Sequence, residues 1–329
     1  MRIAIDAMGG DHAPELIVKG ALEAALEWPD AELLLVGDTA QIEAHLGGVK
    51  PSNLTVVHAD DVIGPDEEPV KAVRRKKSSS MVMAGQLVRE GKAEAMLSAG
   101  NTGALMTTGL LVVGRIEGIE RPALVYMLPT VDDVGVLALD LGANMDAKPE
   151  HLLQYAIMGS IYRTKVQGLQ KPRVGLLNVG TEAMKGNELT KAAYELLEAA
   201  PIHFIGNVEA RDVLARNCDV LVCDGFAGNI MLKAMEGTAG MLFKTMKEAF
   251  TSSFINKMAA AVLRPGMLRL RKKMDYKEHG GAPLLGVKGL VIKCHGSSDI
   301  KAVKNGVRQA KMAIESQLVQ SIAAEISRK

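Results

Sequence analysis

The chain has 329 residues, of which 48% are hydrophobic and 3% aromatic, and its formal net charge is +1. This length and apolar content are typical of a globular protein with a large core and exclude a disordered chain. The near-neutral charge argues against a global field for nucleic acids, and the scarcity of aromatic residues argues against a base-stacking surface.

The amino terminus and the cysteines indicate the cellular compartment. The sequence starts on the strand-like run MRIAIDA, so we expect no signal peptide, and no uncharged apolar run approaches the ~20 residues of a membrane span. Cys218, Cys223 and Cys294 have no zinc-like spacing and predict neither a metal site nor a disulfide framework. We therefore expect reduced core thiols in a cytoplasmic protein.

Short continuous apolar runs recur along the chain and predict buried strands, because they do not alternate with polar residues. In chain order they are Ile3–Ala7, Leu33–Gly37, Leu54–His58, Ala95–Ala99, Ala123–Leu128, Val134–Leu141, Val174–Val179, His203–Gly206, Val220–Asp224 and Leu290–His295. Helical patterns lie between several of them, over Pro14–Glu27, Pro69–Glu90, Pro149–Arg163, Asn187–Ala199, Asn229–Phe250 and Ser298–Ser327. This alternation predicts an α/β fold with a doubly wound, mostly parallel sheet.

Six loops that follow predicted strands combine glycine with Asn, Ser, Thr or Asp. They are Asp6–Pro14, Ser98–Ala104, Asn178–Glu188, Gly206–Asp212, Asp224–Asn229 and His295–Asp299. Ligands of open α/β sheets bind outside the carboxyl ends of the strands, and a helix that begins after a glycine loop favours an anion. Ordinary turns and helix caps give the same pattern for one loop, but six together favour a polar ligand site. We expect phosphate or substrate to contact Gly9, Gly10, Asp11, Ser98, Gly100, Asn101, Thr102, Gly103, Asn187 and Glu188.

The common nucleotide motifs are missing. Gly180 and Gly186 are one residue too far apart for a P-loop, and the dinucleotide fingerprint does not follow the first strand. The sequence also lacks the G-x-S-x-G motif of a serine nucleophile, and Cys223 and Cys294 lie in apolar runs. These observations disfavour ATP and nicotinamide enzymes and favour an external nucleophile, which needs groups that bind an anion and stabilise an oxyanion.

Three side chains could supply such groups, and each has an ordinary structural alternative. Lys185 could bring its ammonium to an anion or lie solvated at the surface. Asn229 could donate its amide to an oxyanion, although its position after Gly228 favours a helix cap. His295 could act as an acid or base near neutral pH or could bond a neighbouring carbonyl.

The segments DAMGGDHAP, SAGNTGALM, LDLGANMDAKPEHL, LLNVGTEAMKGNELT, IGNVEARD, DGFAGN and HGSSD together resemble the bacterial phosphate acyltransferase family of phospholipid synthesis. The resemblance covers nearly the whole chain and is strongest to Bacillus-type members. It implies a fold like phosphotransacetylase and the isocitrate/isopropylmalate dehydrogenases, a homodimer, and no metal or organic cofactor. We expect residues 1–329 to form a single α/β catalytic domain with an amphipathic helical insertion at about 250–280.

The resemblance also implies a reaction. A long-chain fatty acyl group would pass from acyl-carrier protein to inorganic phosphate, and a membrane-bound glycerol-3-phosphate acyltransferase would use the resulting acyl phosphate. Lys185, Asn229, His295 and Asp224 become the candidate catalytic residues. We expect phosphate to attack the thioester directly, without a covalent enzyme intermediate.

Two segments are candidate contact surfaces. Arg74, Arg75, Lys76 and Lys77 could dock the acidic carrier protein or form a solvated helix face. Around residues 250–280, an apolar helical face lies beside basic residues, as in helices that bind in the plane of an anionic membrane. That segment includes Phe254, Met258, Val262, Leu263, Arg264 and Lys272. A dimer-interface or core helix is the alternative; we expect peripheral association with the inner face of the cell membrane.

Other functions fit parts of the sequence. A phosphotransacetylase-like enzyme that uses short acyl-CoA would carry similar loops and would differ in donor preference. A dehydrogenase of the same fold would transfer hydride with NAD. A non-catalytic scaffold would bind carrier or membrane without producing acyl phosphate.

Overall fold

The computed structural model describes residues 1–273 and 281–327. The strands are β1 (Arg2–Asp6), β2 (Glu32–Gly37), β3 (Leu54–His58), β4 (Ala95–Ser98), β5 (Ala123–Leu124), β6 (Tyr126–Leu128), β7 (Val136–Leu139), β8 (Val174–Asn178), β9 (Phe204–Glu209), β10 (Val220–Val222), β11 (Ala282–Leu285) and β12 (Leu290–Lys293). The helices are α1 (Glu15–Glu27), α2 (Thr39–Leu46), α3 (Pro69–Arg75), α4 (Ser80–Arg89), α5 (Thr102–Thr108), α6 (Pro149–Lys165), α7 (Glu188–Ala199), α8 (Gly225–Thr251), α9 (Phe254–Lys273), α10 (Ile300–Glu315) and α11 (Leu318–Ile326).

The strands form two sheets, in the orders β3-β2-β1-β4-β12-β11-β5 and β6-β7-β10-β8-β9. Most neighbours are parallel; β11 is antiparallel to both of its neighbours and β6 is antiparallel to β7. The predicted α/β class and mostly parallel pairing are confirmed. The strands divide between two sheets, because the predicted strand Ala123–Leu128 leaves the first sheet after Leu124 and enters the second at Tyr126.

Two predicted helices are each divided in the structure. The pattern over Pro69–Glu90 becomes α3 and α4. The two helices are separate because the backbone of Ser79, the residue before α4, is extended. The pattern over Ser298–Ser327 becomes α10 and α11, since Gln317 between them has a left-handed φ of 52°. Apolar periodicity continues across both breaks, so periodicity alone does not reveal them.

The region around residues 250–280 is the least predictable part. It contains the end of α8 and all of α9, which includes Pro265, while residues 274–280 lie outside the described residues. Strand β11 follows and was missed, because Gly280 and Gly281 obscure the start of its short apolar run. Within the described residues, no helix is both long enough and apolar enough to cross a membrane.

The two sheets share a hydrophobic core. One continuous cluster of buried side chains includes Ile3 and Leu97 from the first sheet and Leu139 and Val220 from the second. Both sheets therefore contribute to one packed interior.

The chain order places two of the glycine loops side by side. From β1 the chain moves outward to β2 and β3, then returns to β4 on the other side of β1. Ligands of open α/β sheets bind at such a switch point, outside the carboxyl ends of the strands. The loops after β1 and β4 meet there.

Candidate active site

A cavity of about 240 Å³ lies where the carboxyl end of β12 and the first residue of α5 face β6 and α8. Its lining includes Thr102, Val125, Tyr126, Leu141, Asn229, Leu232, Lys233, Glu236, Lys293, His295, Gly296 and Ser298. Three of these, Thr102, Asn229 and His295, are predicted site residues. The cavity thus joins loops that lie far apart in the sequence.

Beneath this cavity, the loops after β1 and β4 are tied by a buried carboxylate. Asp6 accepts hydrogen bonds from the Oγ atoms of Ser80 and Ser98, each at 2.6 Å. Burial raises the pKa of Asp6, while these two hydrogen bonds act in the opposite direction. Ser98 is itself fully buried and also accepts the amide of Gly100 at 3.0 Å. Ser98 and Gly100 therefore support the loop from inside.

Gly9 permits this close packing. A Cβ atom at Gly9 would lie 2.4 Å from Asp6 Oδ2 and 2.8 Å from the Gly100 amide nitrogen. We expect Gly9→Ala to lower the free energy of unfolding by about 1–3 kcal/mol, since the backbone and a buried carboxylate must both move. Thermal and denaturant unfolding measure this effect. The control is Gly240→Ala in α8, where a Cβ atom meets nothing within 4 Å and stability should hold or rise; equal stability in both variants would contradict the prediction.

Asn101 and Gly103 shape the start of α5. The Asn101 side chain caps α5 by accepting from the Ala104 amide at 3.0 Å, and its Nδ2 donates to the carbonyls of Gly64, Pro65 and Glu67. Gly103 packs against Pro69. Both the oxygen and the nitrogen of the Asn101 side chain thus have backbone hydrogen-bond partners, while Thr102, the first residue of α5, lines the cavity.

Lys293 is a functional candidate that the sequence reasoning missed. It ends β12, is 7% exposed, and its Nζ donates to the carbonyls of Ala99, Gly100 and Cys294 at 3.2, 2.7 and 2.6 Å. Burial lowers the pKa of Lys293 from 10.5 to about 8. The detectable signal was a lysine inside an apolar strand, because unpaired lysines are almost never buried.

The loop after β12 places His295 at the mouth of the cavity. His295 is exposed, and its Nδ1 lies 2.9 Å from Ser297 Oγ. Ser298 donates its hydroxyl to the His295 carbonyl at 2.6 Å. Helix α10 follows at once, with Asp299 capping the amide of Ala302, so its positive end lies beside the cavity.

Asn229 enters the cavity from α8. The prediction that Asn229 caps this helix is wrong: α8 begins at Gly225, and Asp224 caps it by accepting from the Ala227 amide at 2.8 Å. Asn229 therefore lies in the second turn, and a Cβ atom at Gly142 would lie 3.6 Å from its Oδ1. Asp224, a predicted catalytic residue, has this capping role and does not line the cavity.

A second buried carboxylate positions this part of the site. Asp140 accepts the amides of Gly142, Ala143 and Asn144 at 3.2, 2.9 and 2.6 Å, and burial raises its pKa. The Asn144 carbonyl in turn accepts the amide of Gly225, the first residue of α8. Asp140 thereby fixes the loop that Asn229 faces.

The remaining predicted residues lie outside the cavity. Lys185 lies on an exposed loop after β8, and Asn187 caps α7 by accepting the Thr190 amide at 2.9 Å; Glu188 is exposed in the first turn of α7. Gly10 has a φ of 121°, and the Asp11 amide donates to the Gly296 carbonyl at 2.8 Å. Gly10 and Asp11 thus join the loop after β1 to the loop after β12. A catalytic role for Lys185 stays a prediction.

The predicted basic segment is only partly available to a partner. Lys76 pairs with Glu67 at 2.9 Å and Asp61 at 3.3 Å and donates to the Val62 carbonyl, so it braces its own loop. Arg74, Arg75 and Lys77 are exposed. Arg74 also lines a groove of about 650 Å³ with Arg115, Arg121 and Lys148, beside Glu120 and His151.

The cysteines and potential metal ligands add no further reactive group. All three cysteines are free and buried, and burial raises the pKa of Cys218 and of Cys294 to about 12. Within residues 1–273 and 281–327, no cluster of three or more His, Cys, Asp or Glu side chains could hold a metal ion.

Sequence comparison relates the chain to known proteins. The model of a family described as "Fatty acid synthesis protein" matches residues 1–321. A phosphate acyltransferase of Brevibacillus brevis is 60% identical over 94% of this chain and 92% of its own length. A phosphate acyltransferase of Bacillus subtilis is 55% identical over 99% and 98%, respectively.

Structure comparison relates the fold to two groups. A phosphotransacetylase from Streptococcus pyogenes superposes with a TM-score of 0.62 at 15% identity, over 97% of this chain and 94% of its own. A 4-hydroxythreonine-4-phosphate dehydrogenase from Klebsiella pneumoniae gives a TM-score of 0.51 at 15% identity, over 98% and 99%. At these identities the likeness concerns the fold alone, and it confirms the predicted similarity to phosphotransacetylase and dehydrogenase folds.

Proposed function

The chain belongs to the phosphate acyltransferase family, and from this premise we propose that it transfers a long-chain fatty acyl group from acyl-carrier protein to inorganic phosphate. The observation that carries the proposal is the cavity in which Asn229 of α8 faces the amino-terminal ends of α5 and α10. One side of the cavity favours an anion and the other offers an amide donor.

Inorganic phosphate binds against the starts of α5 and α10 in this proposal. Helix amino termini attract anions through free amides and the helix dipole, and Thr102 adds a hydroxyl group there. Lys293 holds the carbonyls of Ala99 and Gly100 and so fixes the loop that leads into α5. No nucleotide is required for this arrangement.

Acyl transfer then proceeds by addition and elimination at the thioester carbonyl. A phosphate oxygen attacks the carbonyl carbon, Asn229 donates its amide to the oxyanion that forms, and the carbon–sulfur bond then breaks. His295 at the cavity mouth passes the proton that hydrogen phosphate loses to the departing thiolate. The products are acyl phosphate and the free carrier thiol.

The test is product formation. Palmitoyl-carrier protein and phosphate are incubated with the protein, and acyl phosphate is trapped with hydroxylamine as the hydroxamate. We expect a hydroxamate yield that depends on phosphate and is larger with palmitoyl-carrier protein than with acetyl-CoA. Preference for acetyl-CoA would support a short-chain phosphotransacetylase, and carrier binding without hydroxamate would support a scaffold.

The basic groove is our proposed docking surface for the acidic carrier protein. Arg74, Arg115, Arg121 and Lys148 are exposed around it, and positive residues attract an acidic partner. Helix α5 links this surface to the cavity, since Thr107 lines the groove and Thr102 lines the cavity. A thioester arm of a docked carrier therefore starts one short helix away from the proposed reaction site.

We expect the double variant Arg74→Glu/Arg121→Glu to raise KM for palmitoyl-carrier protein by about tenfold or more, with kcat little changed. The effect should shrink at high ionic strength, because the residues are solvent-exposed. Steady-state kinetics at low and high salt measure it. Lys165→Glu is the control, since Lys165 is the last residue of α6 and lies about 24 Å along the helix from Pro149, at the end next to the groove. Equal effects of the control and the double variant would contradict the docking surface.

We also propose that α9 rests on an anionic membrane surface. Phe254, Met258 and Val262 recur every four residues on α9, and Phe254 and Val262 are 79% and 81% exposed. Leu263 and Arg264 of α9 are also exposed, while the side chain of Lys272 lies outside the described residues. Exposed apolar residues beside basic ones favour peripheral binding in the interface plane. The homodimer and the downstream membrane acyltransferase stay predictions.

Flotation with anionic liposomes tests the membrane surface. We expect Leu263→Glu to reduce the bound fraction severalfold, because a charge replaces an exposed apolar contact. Leu26→Glu is the matched control, since Leu26 is an exposed leucine, at 63%, on a different helix, α1. Leu263→Glu that floats as well as the unmodified protein would remove α9 from the membrane proposal.

A further inference from the structure

An apolar groove of about 730 Å³ runs along one face of α8, next to the catalytic cavity. Its floor includes Leu128, Pro129, Leu214, Met231, Met235 and Leu242. Met231, Met235 and Ala239 follow one another every four residues and therefore share one side of the helix. The polar members of the lining, such as Arg211 and Glu236, have partners: Arg211 pairs with Glu209 at 2.9 Å and Glu236 with Lys233 at 2.9 Å.

The groove adjoins the cavity. Leu232 and Glu236 of α8 line both, so the two spaces meet along these two side chains. Leu232 is 7% exposed and gives this boundary an apolar surface. A molecule whose reactive carbonyl lies beside Asn229 would bring the start of an attached chain to Leu232, at the edge of the groove.

The groove is long enough for a hydrocarbon chain. From Met231 to Phe243, the first and last residues of α8 in its lining, the helix rises about 18 Å over 12 residues. One leaflet of acyl chains accounts for half of the ~30 Å bilayer core, or about 15 Å. Phe243 further lines a cleft of about 370 Å³ between α8 and α9, together with Met246 and Phe250, so apolar contact continues beyond the groove.

We propose that this groove binds the hydrocarbon tail of the acyl donor and makes the enzyme selective for long chains. The proposal rests on the proposed function and adds the binding site for the tail. Adjacency to the cavity favours a tail over a protein occupant, because a tail on a carbonyl beside Asn229 starts less than one helical turn from Leu232 at the edge of the groove. Each methylene buried in the groove should raise kcat/KM about fourfold.

The experiment measures kcat/KM for acyl-carrier proteins from C4 to C16. We expect a steep rise with chain length, and in Ala239→Trp we expect the rise to stop at a shorter chain, because the indole fills the groove. Met241→Trp is the control, since Met241 is 65% exposed and does not line the groove. A profile unchanged by Ala239→Trp, or a loss equal at every length together with dissociation of an oligomer, would overturn the proposal; the second result would assign the groove to a second copy.

A second measurement uses the unmodified protein and does not depend on any variant folding. Palmitoyl-carrier protein with a diazirine at the end of its chain is photolysed in the complex, and the adducts are mapped by mass spectrometry. We expect adducts between Met235 and Phe250. Adducts confined to other segments would overturn the groove even if acyl phosphate forms, whereas absence of acyl phosphate with adducts in α8 would contradict the proposed function alone.

Discussion

Asn229→Ala should lower kcat of acyl phosphate formation by about 10²- to 10³-fold, the usual loss when one oxyanion donor is removed. Asn229 is half-buried in the second turn of α8 and lines the cavity beside Gly142. Because the oxyanion exists only near the transition state, KM for the acyl donor should change little. Steady-state and single-turnover kinetics measure both constants.

Two further variants make this prediction specific. Asn229→Asp keeps the size of the side chain but removes the amide donor and adds a negative charge, so it should be at least as inactive as Asn229→Ala. Lys185→Ala, on the exposed loop after β8, should have a much smaller effect on kcat if the described cavity contains all of the catalytic side chains. Asn229→Ala with near-normal kcat would contradict the proposed role, and an equally large loss in Lys185→Ala would bring that loop into the site.

Lys293→Met should impair both stability and activity. The substitution leaves the carbonyls of Ala99, Gly100 and Cys294 without their buried donor. An unsatisfied buried polar group costs about 1–3 kcal/mol, so we expect the free energy of unfolding to fall by about 3 kcal/mol or more. A loop displaced by about 1 Å lowers turnover about 10²-fold. Denaturant unfolding and kcat measure the two effects.

The pH dependence separates a positioning role of Lys293 from simple destabilisation. Burial lowers the pKa of Lys293 to about 8, against 10.5 for the ordinary side chain. Between these values the unfolded chain binds more protons, so this residue's contribution to stability rises with pH from about 8 to 10.5. Above about pH 8 the neutral amine has only two hydrogens for three carbonyls, and we expect turnover to fall. Lys293→Arg should lack this decline, since guanidinium stays protonated.

The comparison of these profiles controls for phosphate, whose own titration affects both proteins equally. A decline at the same pH in the unmodified protein and in Lys293→Arg would show that another group is responsible. Rescue of the loop by arginine is measured by the Tm of Lys293→Arg relative to Lys293→Met, which we expect to be higher.

Much of the fold was predictable because local signals agree with the tertiary structure. Continuous apolar runs identified strands such as Ala95–Ala99, and the glycine loops expected after β1 and β4 do follow the carboxyl ends of these strands. The division into two sheets was not predictable from the sequence. The run from Ala123 to Leu128 is apolar both before and after Val125, where the chain passes from one sheet to the other. Pairing partners depend on contacts between segments distant in the sequence.

The candidate site was predictable in outline but not in the role of each residue. Thr102, Asn229 and His295 do line one cavity, because they follow or face strand ends that meet. Asn101, Asn187 and Asp224 instead cap helices, which the same residue types favour in any loop. Lys293 escaped notice because its burial depends on three carbonyls contributed by the loops after β4 and β12.

The most direct measurement of the central claim is a rapid-quench experiment with enzyme and palmitoyl-carrier protein in equal amounts, first without and then with phosphate. Direct attack predicts that no carrier thiol is released and no acylated protein forms until phosphate is added. Palmitoyl phosphate and carrier thiol should then appear together in equal amounts. A burst of carrier thiol and an acylated enzyme without phosphate would contradict this account.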